Sequence, residues 1–345
     1  MFMKLATFLN GLAVRFFRLL LGIAAIGLLA TFIAPETGPH MASVRVATMF
    51  AEPVAIDPAD PARRRIGGLI YRRGWVLTGD DPWFGGISAM HVADGAVLAI
   101  ADTGNAFRFR LPDRAGIAPV RITSLQNHRA GQRWRSRDAE SVAVFGDKAW
   151  IGYEGTNQVW RYGLPRFRPE RWAAPPPMRR WGENTGAESL ARFADGRFLA
   201  IAEDPSDDRP FSQAALFSGD PTQPGTRVGT LRYRRVPGAR PTDTAQLPDG
   251  RLLILNRHFG LLTGLWASLV IADPAGVRPG GTIEWREVAR LAPPLTVDNM
   301  EALSVGCDRG RTIVYLVSDN NLLPIQRTLF LEFELAAPFA GRCPG

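Results

Sequence analysis

A chain of 345 residues that is 46% hydrophobic and 21% charged can bury one large core or two small ones, and is too apolar to stay disordered. Its formal net charge of +8 rests on arginine, since Lys4 and Lys148 are the only lysines. The arginines are scattered, with no zinc-finger spacing or RNP aromatic pair, so nucleic acid is a weaker reading than guanidinium forks suited to phosphate or carboxylate, and a compositional habit of the source genome is the plain alternative to both.

At the N-terminus, Lys4, Arg15 and Arg18 precede the apolar run Leu19–Pro35, and no charge follows until Glu36. Positive residues before such a run predict a hydrophobic helix that serves as a secretory signal or a membrane anchor. No clean A-x-A site follows, because Phe32 stands two residues before Ala34, and this favours an uncleaved anchor. Residues 1–40 are therefore read as signal peptide or anchor plus a short linker, and residues 41–345 as one exported domain. Its expected location is the periplasm, free or held at the inner membrane through the N-terminal segment.

From Ile87 onward one pattern recurs about every fifty residues. The copies are "ISAMHVADGAVLAIAD" (Ile87–Asp102), "ESVAVFGDKAWIGYE" (Glu140–Glu154), "ESLARFADGRFLAIAED" (Glu188–Asp204), "DTAQLPDGRLLILNR" (Asp243–Arg257) and "EALSVGCDRGRTIVYLVSD" (Glu301–Asp319). Each is a short apolar strand, a tight turn and a second apolar strand. The turns are Asp94-Gly95, Gly146-Asp147, Asp195-Gly196, Asp249-Gly250 and Arg309-Gly310, and glycine supplies the positive φ that hairpin turns need. Repeated small antiparallel sheets predict an all-β chain folded as a β-propeller. A sixth unit formed by Arg64–Gly79 with Arg327–Leu335 makes the expectation six-bladed, and closing the ring with both chain ends removes exposed edges.

In a hairpin the first residue of strand one and the last of strand two share the open end. Glu140 then lies opposite Glu154, Glu188 opposite Glu203 and Asp204, Asp243 opposite Asn256 and Arg257, and Glu301 opposite Asp319. Radial blades bring these ends to one mouth of a central channel. Crowded carboxylates repel, and a hard cation relieves the repulsion. Oxygen donors with few His and no spare Cys favour Ca²⁺, which takes roughly six to eight oxygens. The expected ligands are Glu140, Glu188, Asp243, Asp298, Glu301 and Asp319. The competing reading is that acids at strand ends merely accept from loop N–H groups or pair with arginines. Near the C-terminus, Cys307 and Cys343 are a candidate disulfide in an exported chain, with two free thiols as the alternative.

The segments "DAESVAV", "TGAESLARFADGRFLAIAED", "PTDTAQLPDGRLLILNRHFGLLTGL" and "DNMEALSV…TIVYLVSDNNLLPIQRTLFLEFEL" resemble the family described as esterase-like activity of phytase, a group of exported phytase-like propellers. The resemblance spans nearly all of residues 84–337 and implies a propeller with a phosphoester-hydrolysing role. Two positions depart from the pattern: "ADTGN" ends the first copy, and Asn256 in "LNRHF" replaces a carboxylate. In the implied chemistry, Ca²⁺ activates water on a small anionic phosphoester, Arg257 and Arg327 clamp phosphate oxygens, and His258 protonates the leaving alkoxide. The expected state is a monomer. No G-x-S-x-G elbow or P-loop offers a different hydrolytic chemistry. The rival expectation is a non-catalytic envelope propeller, a scaffold with a structural metal and a basic, Pro-rich binding face at Arg161–Trp181.

Overall fold

The structure, a computed structural model, describes residues 44–112, 115–125, 138–182, 186–203, 209–260, 263–341 and 343. The apolar N-terminal run lies outside these, and no helix among the described residues is long and apolar enough to cross a membrane. Three strands precede the first repeat: β1 (Val44–Pro53), β2 (Arg65–Ile66) and β3 (Leu69–Gly79). The first repeat unit holds β4 (Ile87–Ala93), β5 (Ala96–Ala101), β6 (Asn105–Arg110) and β7 (Gly116–Ser124). The second holds β8 (Ala139–Phe145), β9 (Lys148–Tyr153), β10 (Gln158–Gly163) and β11 (Arg168–Ala173). The third holds β12 (Ala187–Arg192), β13 (Phe198–Ala202), β14 (Phe211–Phe217) and β15 (Val228–Arg234). The fourth holds β16 (Arg240–Gln246), β17 (Leu252–Gly260) and β18 (Gly264–Ala272). After β19 (Thr282–Ile283), which pairs parallel with β15, the fourth unit is completed by β20 (Trp285–Leu291). The fifth begins with β21 (Met300–Asp308), β22 (Arg311–Ser318) and β23 (Thr328–Leu335).

Within each unit the strands pair antiparallel in order, the first lying innermost. The inner strands neighbour one another in the cycle β4, β8, β12, β16, β21 and back to β4. This is the expected β-propeller, and among the described residues it has five such units. The sixth blade expected from Arg64–Gly79 and Arg327–Leu335 does not stand apart. The two segments do pair, Leu329 against Val76, but β23 also pairs with β22, so β3 is the outer strand of the fifth blade. Strand β1 then bonds to both β3 and β7, joining the outer edges of the fifth and first blades. Both edges are thereby covered.

The sequence explains the packing. Strand β17 reads Leu-Leu-Ile-Leu because both of its faces are buried. Leu253 and Leu255 pack with Leu303 and Leu316 of the fifth blade, while Leu252 and Ile254 pack with Leu199 and Leu231 of the third. Strands alternate their side chains with a period of two, so one strand feeds two interfaces. Five apolar clusters result, one between each pair of adjacent blades. The hairpin turns are as the sequence implies, with Gly196 and Gly250 both at φ 89°. Cys307 and Cys343 are bonded to each other.

Candidate metal centre at the open ends of the inner hairpins

Every inner strand breaks its ladder at the same place. The register slips by one residue past Ser88, Glu140, Glu188, Thr242 and Glu301. A β-bulge bends the strand and re-aims the residue that it leaves unpaired. The residue before each bulge pairs with the return strand, 87 with 101, 139 with 153, 187 with 202, 241 with 256 and 300 with 318, and in the fourth blade the ladder runs one residue further, Arg240 with Arg257. The next residue along is thus equivalent in all five blades. It is Asp102, Glu154, Glu203, Arg257 and Asp319 in turn.

These positions converge. One carboxylate oxygen each from Asp138, Glu140 and Glu154 lie within 4.8 Å of one another, and so do oxygens from Glu154, Glu188 and Glu203. Asp138 lies against Glu140 and Glu154, and Glu154 against Glu188, so that these carboxyl groups act directly on one another's charge. Burial, then the charges of Asp138 and Glu301, push the Asp102 carboxyl up to about 7. Burial, with Asp138 and Glu203 nearby, pushes Glu154 up to about 8. Burial drives Glu140 and Glu188 well above the usual carboxylate range, and neighbouring acids add to this. Glu301 is also raised to about 8, by burial and by Asp319 and Glu203, although Arg257 opposes the shift. The Arg257 guanidinium donates to Glu203 at 3.0 Å and to Asn299 Oδ1 at 2.6 Å, and pairs with Glu301 at 2.7 Å. Burial pulls its pKa down, but Glu301, Glu203, Glu188 and Asp319 together hold it above its ordinary value.

All six expected ligands are linked in this field: Glu140 with Glu188, Glu188 with Glu301, Asp243 with Glu301, and Asp319 with Glu301 and Asp298. Asp319 is raised by burial and by Asp102, and it also accepts from the Asn321 N–H at 2.6 Å. Asp243 is placed differently. The bulge residue of its blade is Thr242, so Asp243 stands where Ser141 and Ser189 stand in other blades. Its carboxylate accepts from the backbone N–H groups of Leu303 (2.8 Å) and Thr244 (2.7 Å). Ser141 does a comparable job, donating to the Ala187 carbonyl of the next blade at 2.7 Å. Asp298 accepts from the N–H groups of Asn299 (3.0 Å) and Arg327 (3.2 Å) and from Arg327 Nε (3.4 Å).

Of the expected catalytic residues, Arg257 lies among the acids and is spent on them. Arg327 sits beside Asp298 with 45% of its side chain exposed. His258 follows Arg257 on an extended strand and so takes the other face. Its ring stacks on Trp266 at 4.9 Å, Nε2 bonds Thr263 Oγ1 at 2.6 Å, and Nδ1 contacts the Gly238 carbonyl. Asp204 is outside the described residues. The acids of the cluster that the expected ligand set leaves out are Asp102, Asp138, Glu154 and Glu203. For three of them the signal was present as the first residue past the return strand.

The donor set fits a hard cation. It consists of carboxylates with no His or Cys among them, and Asp102 Oδ1 is buried without a hydrogen-bond partner. The acidic clusters can hold a metal on grounds of charge and reach.

A family model described as "Phytase-like: Esterase-like activity of phytase" matches residues 82–322, well over half of the chain. The chain belongs to the phytase-like family. Among curated proteins none matches. Several solved structures align with this phytase-like protein over most of its length. A glutaminyl cyclase from Myxococcus xanthus has 12% identity and TM-score 0.43, covering 78% of this chain and 97% of its own. A Trichoderma reesei carbohydrate-active enzyme of family AA12 has 11% identity and TM-score 0.40, covering 84% and 95%. The Cps50 (Swd1) β-propeller domain of Myceliophteria thermophila has 9% identity and TM-score 0.38, covering 76% and 77%. Likeness at this level transfers no chemistry.

Proposed function

We propose that this phytase-like protein is an exported, Ca²⁺-dependent hydrolase of a small anionic phosphoester. The observation that carries the reading is the convergence of two bulge glutamates, Glu140 and Glu188, with Asp138, Glu154 and Glu203, while the third, Glu301, joins Glu203 through Arg257. Asp102, Asp138, Glu140, Glu154 and Glu188 would hold cations, with Glu203, Glu301 and Asp319 at the border shared with Arg257. A bound cation supplies phosphate neutralisation and a more acidic coordinated water. Arg327 is the exposed guanidinium beside the cluster and would orient a phosphate oxygen. His258 has no part, since its ring is engaged elsewhere. The Cys307–Cys343 bond agrees with export, as does the charged and apolar N-terminal segment.

The test is phosphate release from phytate and from a nitrophenyl phosphodiester, with Ca²⁺ and with chelator. Turnover that needs Ca²⁺ and is lost in Glu188→Ala and Glu301→Ala supports the reading. Absence of turnover on both substrates in the Ca²⁺-loaded protein overturns it.

A second reading has its own observation. Glu188, Glu203 and Glu301 are buried, and Arg257 is fully paired between blades. A metal there would stiffen a scaffold propeller, and a chelator-induced fall in melting temperature without any turnover would favour that role.

A further inference from the structure

The fourth blade inverts the charge that the other four present. At the residue following the return-strand partner of the pre-bulge position, Asp102, Glu154, Glu203 and Asp319 are acids, whereas the fourth blade carries Arg257, still within β17. At the bulge, where the second, third and fifth blades carry glutamate, it carries Thr242. We infer that Arg257 is a built-in cation: its guanidinium fills a seat between the third and fifth blades that a divalent metal would otherwise take, and so limits how many ions bind. This rests on the reading that the neighbouring carboxylates hold a cation.

The contacts support the assignment. The guanidinium bridges Glu203 at 3.0 Å and Glu301 at 2.7 Å, one acid from each flanking blade, and also reaches Asn299 Oδ1 at 2.6 Å. Two carboxylates and an amide oxygen around one positive centre are the donors that a hard divalent ion selects. Glu188 and Asp319 add to the negative field at the same point. Among the described residues the two acidic triads with mutual reach are built from the second and third blades, with Glu203 shared between one of them and the Arg257 seat. One half of the ring thus has acids in need of a cation, and the other half has its cation attached.

The experiment counts ions. Full-length protein in detergent is stripped with chelator and equilibrated with Ca²⁺. Bound calcium per chain is then measured by mass spectrometry for wild type, Arg257→Gln and Arg257→Lys. The expected result is one additional Ca²⁺ per chain in Arg257→Gln and no gain in Arg257→Lys, whose ammonium keeps the seat charged. An unchanged or lower count in folded Arg257→Gln overturns the inference. So does failure of Arg257→Gln to fold even in millimolar Ca²⁺, because an ion that can occupy the seat would restore the lost charge. The metal reading fails separately, when wild type retains no Ca²⁺.

Discussion

Asp243 Oδ2 accepts a 2.8 Å hydrogen bond from the backbone N–H of Leu303, tying the inner strand of the fourth blade to that of the fifth. Burial holds this carboxyl well above the usual range. Asparagine therefore mimics its protonated form, and Asp243→Asn should leave stability nearly unchanged. Asp243→Ala orphans the N–H groups of Leu303 and Thr244 and should cost about 1–3 kcal/mol for each group left unpaired. Neither variant should change Ca²⁺ affinity by more than a few-fold. Urea denaturation and calorimetric titration check both statements, and a large loss of Ca²⁺ binding in Asp243→Asn would return Asp243 to the ligand set.

Glu154 is the opposite case, since it belongs to both acidic triads. Removing its charge withdraws a ligand from each. Glu154→Gln should weaken Ca²⁺ binding by about tenfold or more, because affinity follows the number of charged ligands. It should also raise the melting temperature of the metal-free protein above about pH 8, where Glu154 would otherwise ionise in a buried place beside Asp138 and Glu203. Unaltered Ca²⁺ affinity in this variant would dissolve the central role given to Glu154.

Acidity offers a third test. The folded chain holds Asp102 at about 7, and Glu154 and Glu301 at about 8, mainly through burial. In the unfolded chain these groups titrate near about 4. Between those limits the native state binds more protons than the unfolded state, so metal-free stability falls as pH rises from about 4 to about 8 and levels off on either side. Ca²⁺ competes with the protons, so saturating Ca²⁺ should flatten or reverse the trend, and binding should release protons. Melting curves across this range, in chelator and in Ca²⁺, decide the matter. A metal-free melting temperature that climbs with pH through the window contradicts the raised carboxyls.

What the sequence revealed follows the range of each interaction. The hairpins were legible because alternation and Asp-Gly turns are local signals, and Glu140, Glu188, Glu301 and Asp319 were legible through the repeat. The blade number was not. Arg64–Gly79 and Arg327–Leu335 read as a unit of their own, and only the pairing of β23 with β22 places them in the fifth blade. That the bulge falls at Thr242 and not at Asp243 is illegible, because a bulge leaves no mark in an apolar pattern and Thr242 is as good a strand residue as Asp243. Asp102 was hidden by Ser88, which carries no acid to draw attention to its blade. Arg257 stood out as a residue, but its pairing with Glu203 and Glu301 depends on three blades meeting.

The disulfide separates stability from the site. Cys307 lies near the turn end of β21 and Glu301 at the other end of the strand, six residues or about 20 Å away. The bond closes on Cys343, 36 residues further on. The tail is also held by Arg251 Nη2 donating to the Phe339 carbonyl at 2.7 Å and by Thr312 Oγ1 donating to the Gly341 carbonyl at 3.1 Å. Loop closure over this span contributes about 3–4 kcal/mol by constraining the unfolded chain. The double variant Cys307→Ser/Cys343→Ser should therefore unfold at lower urea concentration while binding Ca²⁺ with wild-type affinity, because its defect lies in the unfolded state and at the far end of the blade. Loss of Ca²⁺ affinity in proportion to the loss of stability would show instead that the tail and the acidic ring act as one unit.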